Sequence, residues 1–159
     1  MDNTYYTYES PFGNIIIESD GKAITGVKTE ADAAPAGKKE KSTLTDITAM
    51  QLKEYFAGKR KKFDVPLDPK GTDFQRSVWK ALQEIPYGKT RSYKQIAQAI
   101  GNPKACRAVG MANNKNPIWI LIPCHRVIGS DGALTGYGGG MDMKTRLLKI
   151  EKHGTGRKE

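Results

Sequence analysis

The sequence has few cysteines, no long apolar run and no leader-like N-terminus, and each absence excludes a class of protein. Two cysteines among 159 residues are too few for a disulfide framework, so reduced thiols are expected. No stretch approaches the roughly 18 consecutive apolar residues that a membrane-spanning helix needs. The opening residues, MDNTYYTYES, have no basic region followed by an apolar core, so no secretory signal is predicted. The expected location is therefore the cytoplasm.

Positive charge is spread unevenly along the chain. Residues 1–67 contain 10 basic and 10 acidic side chains, whereas residues 68–159 contain 16 basic and 7 acidic side chains. The C-terminal part therefore carries all of the formal net charge of +9. Such asymmetry is typical of a neutral module joined to one that meets a polyanion, and nucleic acid is the first candidate. A basic half that serves only solubility is the alternative.

The first 30 residues have the pattern of an antiparallel β-sheet. Tyr6, Tyr8 and the run 15–17 are strand formers, and a Pro-Phe-Gly sequence separates them. Asp20 and Gly21 form a two-residue turn signal before the next apolar residues. Two or three short strands joined by tight turns are therefore predicted.

A loop and a helix are predicted to complete the N-terminal part. Residues 31–41 are small, polar and charged, which is typical of a loop. A helix is expected over residues 44–57, with Thr43 as its N-cap and Asp46 three residues later. The basic run 59–62 is interpreted as a solvated loop, with a phosphate-binding patch or a localisation signal as alternatives.

A second module is predicted to begin near residue 69, with a helix that carries one apolar stripe. Its members recur at helical spacing until Pro86 and Gly88 end the helix. The stripe consists of Phe74, Val78, Leu82 and Ile85.

Two short helices in succession are predicted next. Ser92 with Gln95 forms a capping box for the first helix, and Gly101 ends it. Asn102 as cap and a proline in the first turn predict a second helix over residues 103–113. This is a helix-turn-helix pattern, which in a basic domain favours DNA binding, although such pairs also occur as plain packing units.

Cys124 has the sequence surroundings of a reactive thiol. It follows a continuous apolar run, residues 118–122, and precedes His125 and Arg126. A thiol is nucleophilic as the thiolate, which a neighbouring imidazole or guanidinium stabilises. A buried inert cysteine is the plain alternative, and it is the interpretation adopted for Cys106.

Two other chemistries are less well supported by these residues. A cysteine protease draws its Cys and His from distant chain positions, and neighbouring residues on a strand point to opposite sides. Direct pairing of Cys124 with His125 therefore requires a turn or a bridging water. A zinc site would need ligand spacings such as CxxC, which the chain lacks.

The string Ile-Pro-Cys-His-Arg-Val at 122–127 closely resembles the active-site signature of the O6-alkylguanine-DNA alkyltransferases, also called methylated-DNA–protein-cysteine methyltransferases. The resemblance covers most of residues 70–154. It extends to Ser92-Tyr93, to the stretch GNPKACRAVG at 101–110, to Asn116-Pro117 and to the glycine-rich segment that contains Tyr137. Several separate matches in the same order make it specific.

The resemblance implies an α+β fold in two domains. Residues 1–68 would form a small N-terminal antiparallel sheet with a helix, of ribonuclease-H-like type. Residues 69–154 would form a mainly helical, winged helix-turn-helix-like catalytic domain. The polar sequence of residues 155–159 by itself predicts a disordered tail. Members that bind zinc in the N-terminal domain use Cys and His, which residues 1–67 lack, so no metal site is expected.

The resemblance also implies the reaction and the residues that perform it. Cys124 would accept the alkyl group of O6-alkylguanine, with O4-alkylthymine as a further expected substrate. His125 would draw off the thiol proton through a water, and Glu151 would orient and balance that histidine. Asn116 would hold the backbone of the active-site turn. Tyr93 would crowd the DNA phosphate and help to protonate the departing guanine.

The remaining implied residues bind DNA or the flipped base. Arg107 would enter the base stack from the second helix of the helix-turn-helix, which the family presents to the minor groove. The further DNA contacts would be Tyr93, Lys94, Asn102, Lys104 and Ser130. The base pocket would be lined by Val127, Tyr137, Gly138 and Gly139. Gly138 stands where some relatives have Ser, which removes one hydroxyl contact and leaves the substrate range open.

The expected partner is double-stranded DNA carrying alkylated bases, bound by a monomer, with cooperative binding along DNA left open. No cofactor is expected, because the lesion itself carries the group to be transferred. A thioether product has no activated centre for water to attack, so each molecule should react once. The alternatives are a non-catalytic sensor of alkylated bases and a helix-turn-helix regulator, although the presence of Cys124 argues against the sensor.

Overall fold

The computed structural model describes residues 3–30, 35, 37–129 and 141–156. The chain divides into two units, Met1–Lys70 and Gly71–Glu159. The first contains a sheet and one helix, and the second is mainly helical, so the fold is of the α+β class. No described helix is long and apolar enough to cross a lipid bilayer.

The N-terminal sheet has four strands in the order β3-β2-β1-β4. They are β1 (Thr4–Ser10), β2 (Gly13–Ser19), β3 (Ile24–Thr29) and β4 (Lys38–Lys39). β2 pairs antiparallel with both β1 and β3, whereas β4 pairs parallel with β1. The prediction of an unbroken loop over 31–41 is therefore wrong at residues 38–39. The cause is that the backbone next to them bonds to the open edge of β1, as when Glu40 N donates to Tyr5 O.

The side chain of Asp20 stabilises the turn between β2 and β3. Oδ1 of Asp20 accepts hydrogen bonds from the backbone N–H groups of Lys22 and Ala23, each at 2.9 Å. Gly21, which follows Asp20, has a φ of 94°, and a residue without Cβ adopts this conformation at little cost. This is the turn that the Asp-Gly pair predicts.

Helix α1 (Thr43–Phe56) packs on β1 and β2 and completes the core of the first unit. Its buried residues include Leu52 and Tyr55, and the three isoleucines of β2 are buried in the same unit. The N-cap is Ser42, so the prediction of Thr43 as cap is wrong by one residue. Thr45 N donates to the Ser42 hydroxyl, and Ser42 N donates to Oγ1 of Thr45. The capping box is therefore completed by a threonine hydroxyl.

The second unit begins with α2 (Asp73–Gln83), and the predicted apolar stripe forms its buried side. Val78 and Leu82 are fully buried, and Ile85 is buried just beyond the end of the helix. Trp79 is also buried, and its indole Nε1 donates to the carbonyl oxygen of Ala112 at 2.8 Å. That bond fixes α2 against the fourth helix of the chain.

The helix-turn-helix consists of α3 (Tyr93–Ala99) and α4 (Cys106–Asn114). The capping box of Ser92 and Gln95 is present as predicted. Gly101 has a φ of 80° and donates to Gln98 O, while Asn102 N donates to Ala97 O, which is the Schellman arrangement.

The second helix of this pair starts later than the predicted residue 103. Asn102 is not its cap: its carbonyl accepts a hydrogen bond from Ala105 N, which closes a turn, and α4 begins at Cys106 with Ala105 as N-cap. The Asn-Pro pair is therefore used to shape the connection and not to start the helix.

A two-stranded parallel sheet joins the start of α3 to the segment after Cys124. Its strands are β5 (Arg91–Ser92) and β6 (Val127–Ile128), with Arg91 opposite Val127. The last helix is α5 (Met141–Gly156). Leu147 and Glu151 are both buried and lie one helical turn apart, so they are on the same side of this helix.

Candidate active site

The backbone before Cys124 forms two successive tight turns. Residues 118–122, the continuous apolar run, are buried and do not form a strand. Leu121 N donates to Trp119 O at 2.8 Å, with Ile120 between them at a φ of 75°. Cys124 N then donates to Ile122 O at 2.7 Å across Pro123, whose φ of −78° and ψ of 64° define an inverse γ-turn.

These turns deliver Cys124 into a 3₁₀ turn, Cys124–Arg126, rather than onto a strand. Cys124 and His125 are therefore consecutive residues of a turn, and a turn or a bridging water is what their cooperation is expected to require. Cys124 is 2% exposed and His125 is fully buried. Cys106, the other cysteine, lies half-buried at the start of α4.

Asn116 ties the two ends of the buried segment together. Its Oδ1 accepts a hydrogen bond from Ile118 N at 3.0 Å, and its Nδ2 donates to Ile122 O at 2.8 Å. The side chain is itself buried, at 3% exposure, so water does not compete for these bonds. Asn116 thus spans the turns that position Cys124.

Glu151 of α5 bonds both residues that follow Cys124. Its Oε2 lies 2.6 Å from Nε2 of His125. The guanidinium of Arg126 binds the same carboxylate through Nε at 2.8 Å and Nη2 at 3.0 Å, and its Nη1 donates to Ile85 O at 2.7 Å. Arg126 is therefore held by a carboxylate and a carbonyl, so the sequence-based expectation that it acts on the thiolate is replaced by a role in fixing Glu151.

The electrostatics of this group favour a neutral imidazole. Burial lowers the pKa of His125 and outweighs the opposing effect of Glu151. Burial alone would raise the pKa of Glu151, but its bonds to His125 and Arg126 hold it well below its usual range. An ionised carboxylate only accepts hydrogen bonds, so Nε2 of His125 carries the proton and Nδ1 is left as a basic nitrogen.

Lys144 is a buried charge that the sequence analysis did not single out. It is fully buried, and its Nζ donates to Val127 O at 2.6 Å. Burial lowers the pKa of Lys144 to about 8, although the electrostatic interaction with Cys124 acts in the opposite direction and raises it. A signal was present, because Lys144, Leu147 and Glu151 recur at positions i, i+3 and i+7 and so share one side of a helix.

The residues expected to bind DNA lie on the helix-turn-helix. Lys94, Asn102, Lys104 and Arg107 are exposed, whereas Tyr93 is half-buried. The ring of Tyr93 lies against α4, since a Cβ added at Gly110 would be 3.8 Å from its Cδ1 and Cε1 atoms. Ser92 pairs with Ile128, next to Val127, so the start of α3 lies beside the end of the active-site turn.

Of the expected base-pocket residues, the structure describes Val127, which is fully buried on β6. The other three, with one expected DNA contact, lie outside the described residues: Tyr137, Gly138, Gly139 and Ser130. Within the described ranges, no three His, Cys, Asp or Glu side chains are grouped so that they could hold a metal ion.

Family models match nearly the full length of the chain. Residues 73–153 match the DNA-binding domain of 6-O-methylguanine DNA methyltransferase, and residues 3–69 match the ribonuclease-like domain of the same proteins. The chain belongs to the 6-O-methylguanine DNA methyltransferase family. The resemblance carried by the sequence motifs is thereby confirmed.

Relatives with curated names agree with this family. A methylated-DNA–protein-cysteine methyltransferase of Methanosarcina barkeri is 52% identical over 153 residues, which are 94% of this chain and 97% of that protein. A constitutive methyltransferase of the same name from Bacillus subtilis is 47% identical, over 94% of this chain and 96% of its own length.

Solved structures of the methyltransferase family share the fold. The Mycobacterium tuberculosis OGT in complex with DNA superimposes with a TM-score of 0.90 and is 48% identical, covering 95% of this chain and 94% of that one. An O6-methylguanine methyltransferase from the same organism gives a TM-score of 0.89 at 46% identity, covering 98% of this chain and 96% of its own.

Proposed function

We propose that this chain repairs DNA by transferring the alkyl group of O6-alkylguanine to Sγ of Cys124, once per protein molecule. One observation carries the proposal: a buried cysteine at a tight turn is followed at once by His125, whose Nε2 lies 2.6 Å from Glu151. The names of relatives as similar as 52% describe transfer from methylated DNA to a protein cysteine. DNA is the partner of an OGT that is 48% identical to this chain.

The first step is removal of the thiol proton. Cys124 gives its proton to a water, which passes one to Nδ1 of His125, while Nε2–H continues to donate to Glu151. The ionised carboxylate favours the imidazolium that forms. The charge of Lys144, which interacts favourably with Cys124, supports the thiolate in this buried site.

The second step is displacement at the alkyl carbon. The thiolate sulfur forms an S–C bond as the C–O6 bond breaks, and the electron pair of that bond stays on the guanine. Tyr93 supplies a proton to the departing base, which balances the proton lost by the thiol. The product thioether offers no acyl or phosphoryl centre to water, so the protein is consumed, and the lesion supplies the only group transferred.

The alkyl carbon reaches Cys124 only if the nucleotide leaves the base stack. Extrusion costs a few kcal/mol, and contacts to phosphates with an inserted side chain offset that cost. Arg107 is exposed on α4 and is the inserted residue in this proposal. The proposed phosphate and backbone contacts are Tyr93, Lys94, Asn102, Lys104 and Ser130.

The extruded base is proposed to enter a pocket beside the active-site turn. Val127 follows the 3₁₀ turn and is fully buried, and its carbonyl oxygen is bound by Lys144. Tyr137, Gly138 and Gly139 are proposed to complete the pocket. O4-alkylthymine as a second substrate, a monomeric state and a cytoplasmic location stay predictions.

Intact-mass analysis tests the proposal directly. Incubation with duplex DNA containing O6-methylguanine is expected to add one methyl group per protein, located at Cys124 by peptide mapping. Cys124→Ser should gain no mass, whereas Cys106→Ser, which removes the other thiol, should react as the wild type does. Repeated turnover, or methylation that persists in Cys124→Ser, would contradict the mechanism.

A further inference from the structure

Asn113 is a buried polar residue beside the nucleophile that the mechanism above does not use. It lies on α4, is 1% exposed, and donates from Nδ2 to the carbonyl oxygen of Cys124 at 3.4 Å. Asn116, three residues on, holds the neighbouring carbonyl of Ile122. Two carboxamides therefore bind successive parts of the same turn. One of them, that of Asn113, comes from α4, the helix that carries Arg107.

The orientation of the Asn113 amide is fixed by its partner. A carbonyl oxygen accepts hydrogen bonds, so the NH₂ group must face Cys124 O, and Oδ1 is the other arm of the planar carboxamide. Oδ1 is buried and has no hydrogen-bond partner among the described residues. A buried amide oxygen without a donor costs free energy, and a partner bound during the reaction would offset that cost.

Asn113 also connects the nucleophile to the exposed side of α4. Arg107, Met111 and Asn114 are exposed and recur at i, i+4 and i+7, so they form one side of the helix. Val109 and Asn113 are buried and recur at i and i+4 on the opposite side. A shift of α4 that accompanies DNA contact would therefore move a group bonded to the backbone of Cys124.

We propose that Asn113 is a positioning residue for alkyl transfer. Its Nδ2 fixes the Cys124 backbone to α4, and its Oδ1 accepts a hydrogen bond from the water that relays the thiol proton to His125. Asn113 itself gains and loses no proton. This inference rests on the proposed function. The charged groups around the relay are Arg126 on the turn with Lys144 and Glu151 on α5, and Asn113 is the neutral group from α4.

The test compares Asn113→Leu and Asn113→Asp with the same changes at Asn14, an exposed asparagine of the first unit. The rate of Cys124 alkylation by a free O6-alkylguanine base, without DNA, is followed by intact mass from pH 6 to pH 9 in roughly unit steps. Asn113→Leu should slow alkylation about tenfold, because one buried hydrogen-bond site is lost. Asn113→Asp should slow it near neutral pH and recover at higher pH, because a carboxylate raises the pKa of the thiol.

The outcomes separate this inference from the proposed function. A wild type that O6-alkylguanine does not alkylate refutes the proposed function itself. A normal wild type with unchanged Asn113 variants overturns only the positioning role. A loss that is equal at every pH in Asn113→Asp, together with a lower melting temperature, assigns Asn113 to packing and also overturns it. Both Asn14 variants should match the wild type.

Discussion

The carboxylate of Glu151 binds three groups from two parts of the chain. It accepts from Arg126, pairs with His125 and accepts from Gly88 N at 3.2 Å. The bonds to His125 and Arg126 are buried, so each is stronger than its counterpart in water and more costly to leave unmade. One side chain therefore sets both the tautomer of the proposed base and the position of the turn.

Glu151→Gln keeps the shape of this side chain and removes its charge. Arg126, 6% exposed, would then be buried without a counter-charge, which lowers the free energy of unfolding by about 3 kcal/mol. Alkylation should also slow, since the imidazolium loses its anionic partner. Urea denaturation and the single-turnover rate measure the two effects.

Glu84→Gln is the matched control, because Glu84 is exposed at the end of α2. It should leave both quantities unchanged. If Glu151→Gln behaves as this control does, the carboxylate is not needed for the turn or for the base.

At this scale the sequence could predict only the residues that carry a motif. Cys124 and His125 were recognised because they stand together after an apolar run, and Glu151 because the family motif marks it. Asn113 and Lys144 were missed because Asn and Lys are usually exposed. Their burial depends on which side of each helix packs inward, which tertiary structure decides.

At the scale of elements, the exposed side of α4 is the surface proposed to meet DNA. Arg107 lies on it and is not engaged in any of the bonds that form the active-site turn. Its proposed task is to stabilise DNA from which a base has left, so it should matter only when a duplex is the substrate.

Arg107→Ala should therefore slow repair of duplex DNA about tenfold or more, in line with the few kcal/mol that base extrusion costs. The rate with a free O6-alkylguanine base should stay at the wild-type value. Lys80→Ala, which removes an exposed lysine side chain from α2, is the comparison variant. Equal losses on both substrates would show that Arg107 acts on the site and not on DNA.

Helix caps show where local sequence was sufficient and where it was not. Ser92 and Gln95 were predicted as a capping box because both bonds are local to the chain. The start of α4 was placed at residue 103, because a cap followed by proline is a common helix start. The Schellman bond from Asn102 to Ala97 commits that residue to ending α3, so α4 begins three residues later.

The turn at Ile120 could not be predicted at all. A β-branched residue at a φ of 75° costs about 1–3 kcal/mol in backbone strain, so no propensity favours it. Burial on both sides and the bonds of Asn116 hold the backbone there. The consequence is that Cys124 leaves the line of an extended strand.

For the whole molecule, the uneven charge has a direct consequence in binding. Residues 68–159 carry the net charge of +9, and DNA affinity that depends on Lys and Arg falls as salt displaces the released counterions. Affinity for duplex DNA should drop at least about tenfold between roughly 50 and 200 mM salt. Fluorescence polarisation with an undamaged duplex measures it, and a salt-independent affinity would contradict the electrostatic role of this half.

The two-part organisation was accessible from the sequence because its signals change abruptly. Near residue 70, where the chain divides, the balance of charged side chains changes from neutral to basic and a Pro-Lys-Gly sequence interrupts the pattern. The parallel pairing of β4 with β1 was not accessible, because two lysines carry no strand signal and the contact joins residues more than 30 positions apart.

Both tryptophans of the chain, Trp79 and Trp119, are buried in the second unit, and the first unit contains none. Selective excitation of indole therefore observes the half that contains Cys124, while circular dichroism observes both halves. Overlaying the two melting curves would reveal whether the sheet half and the thiol half unfold together or separately.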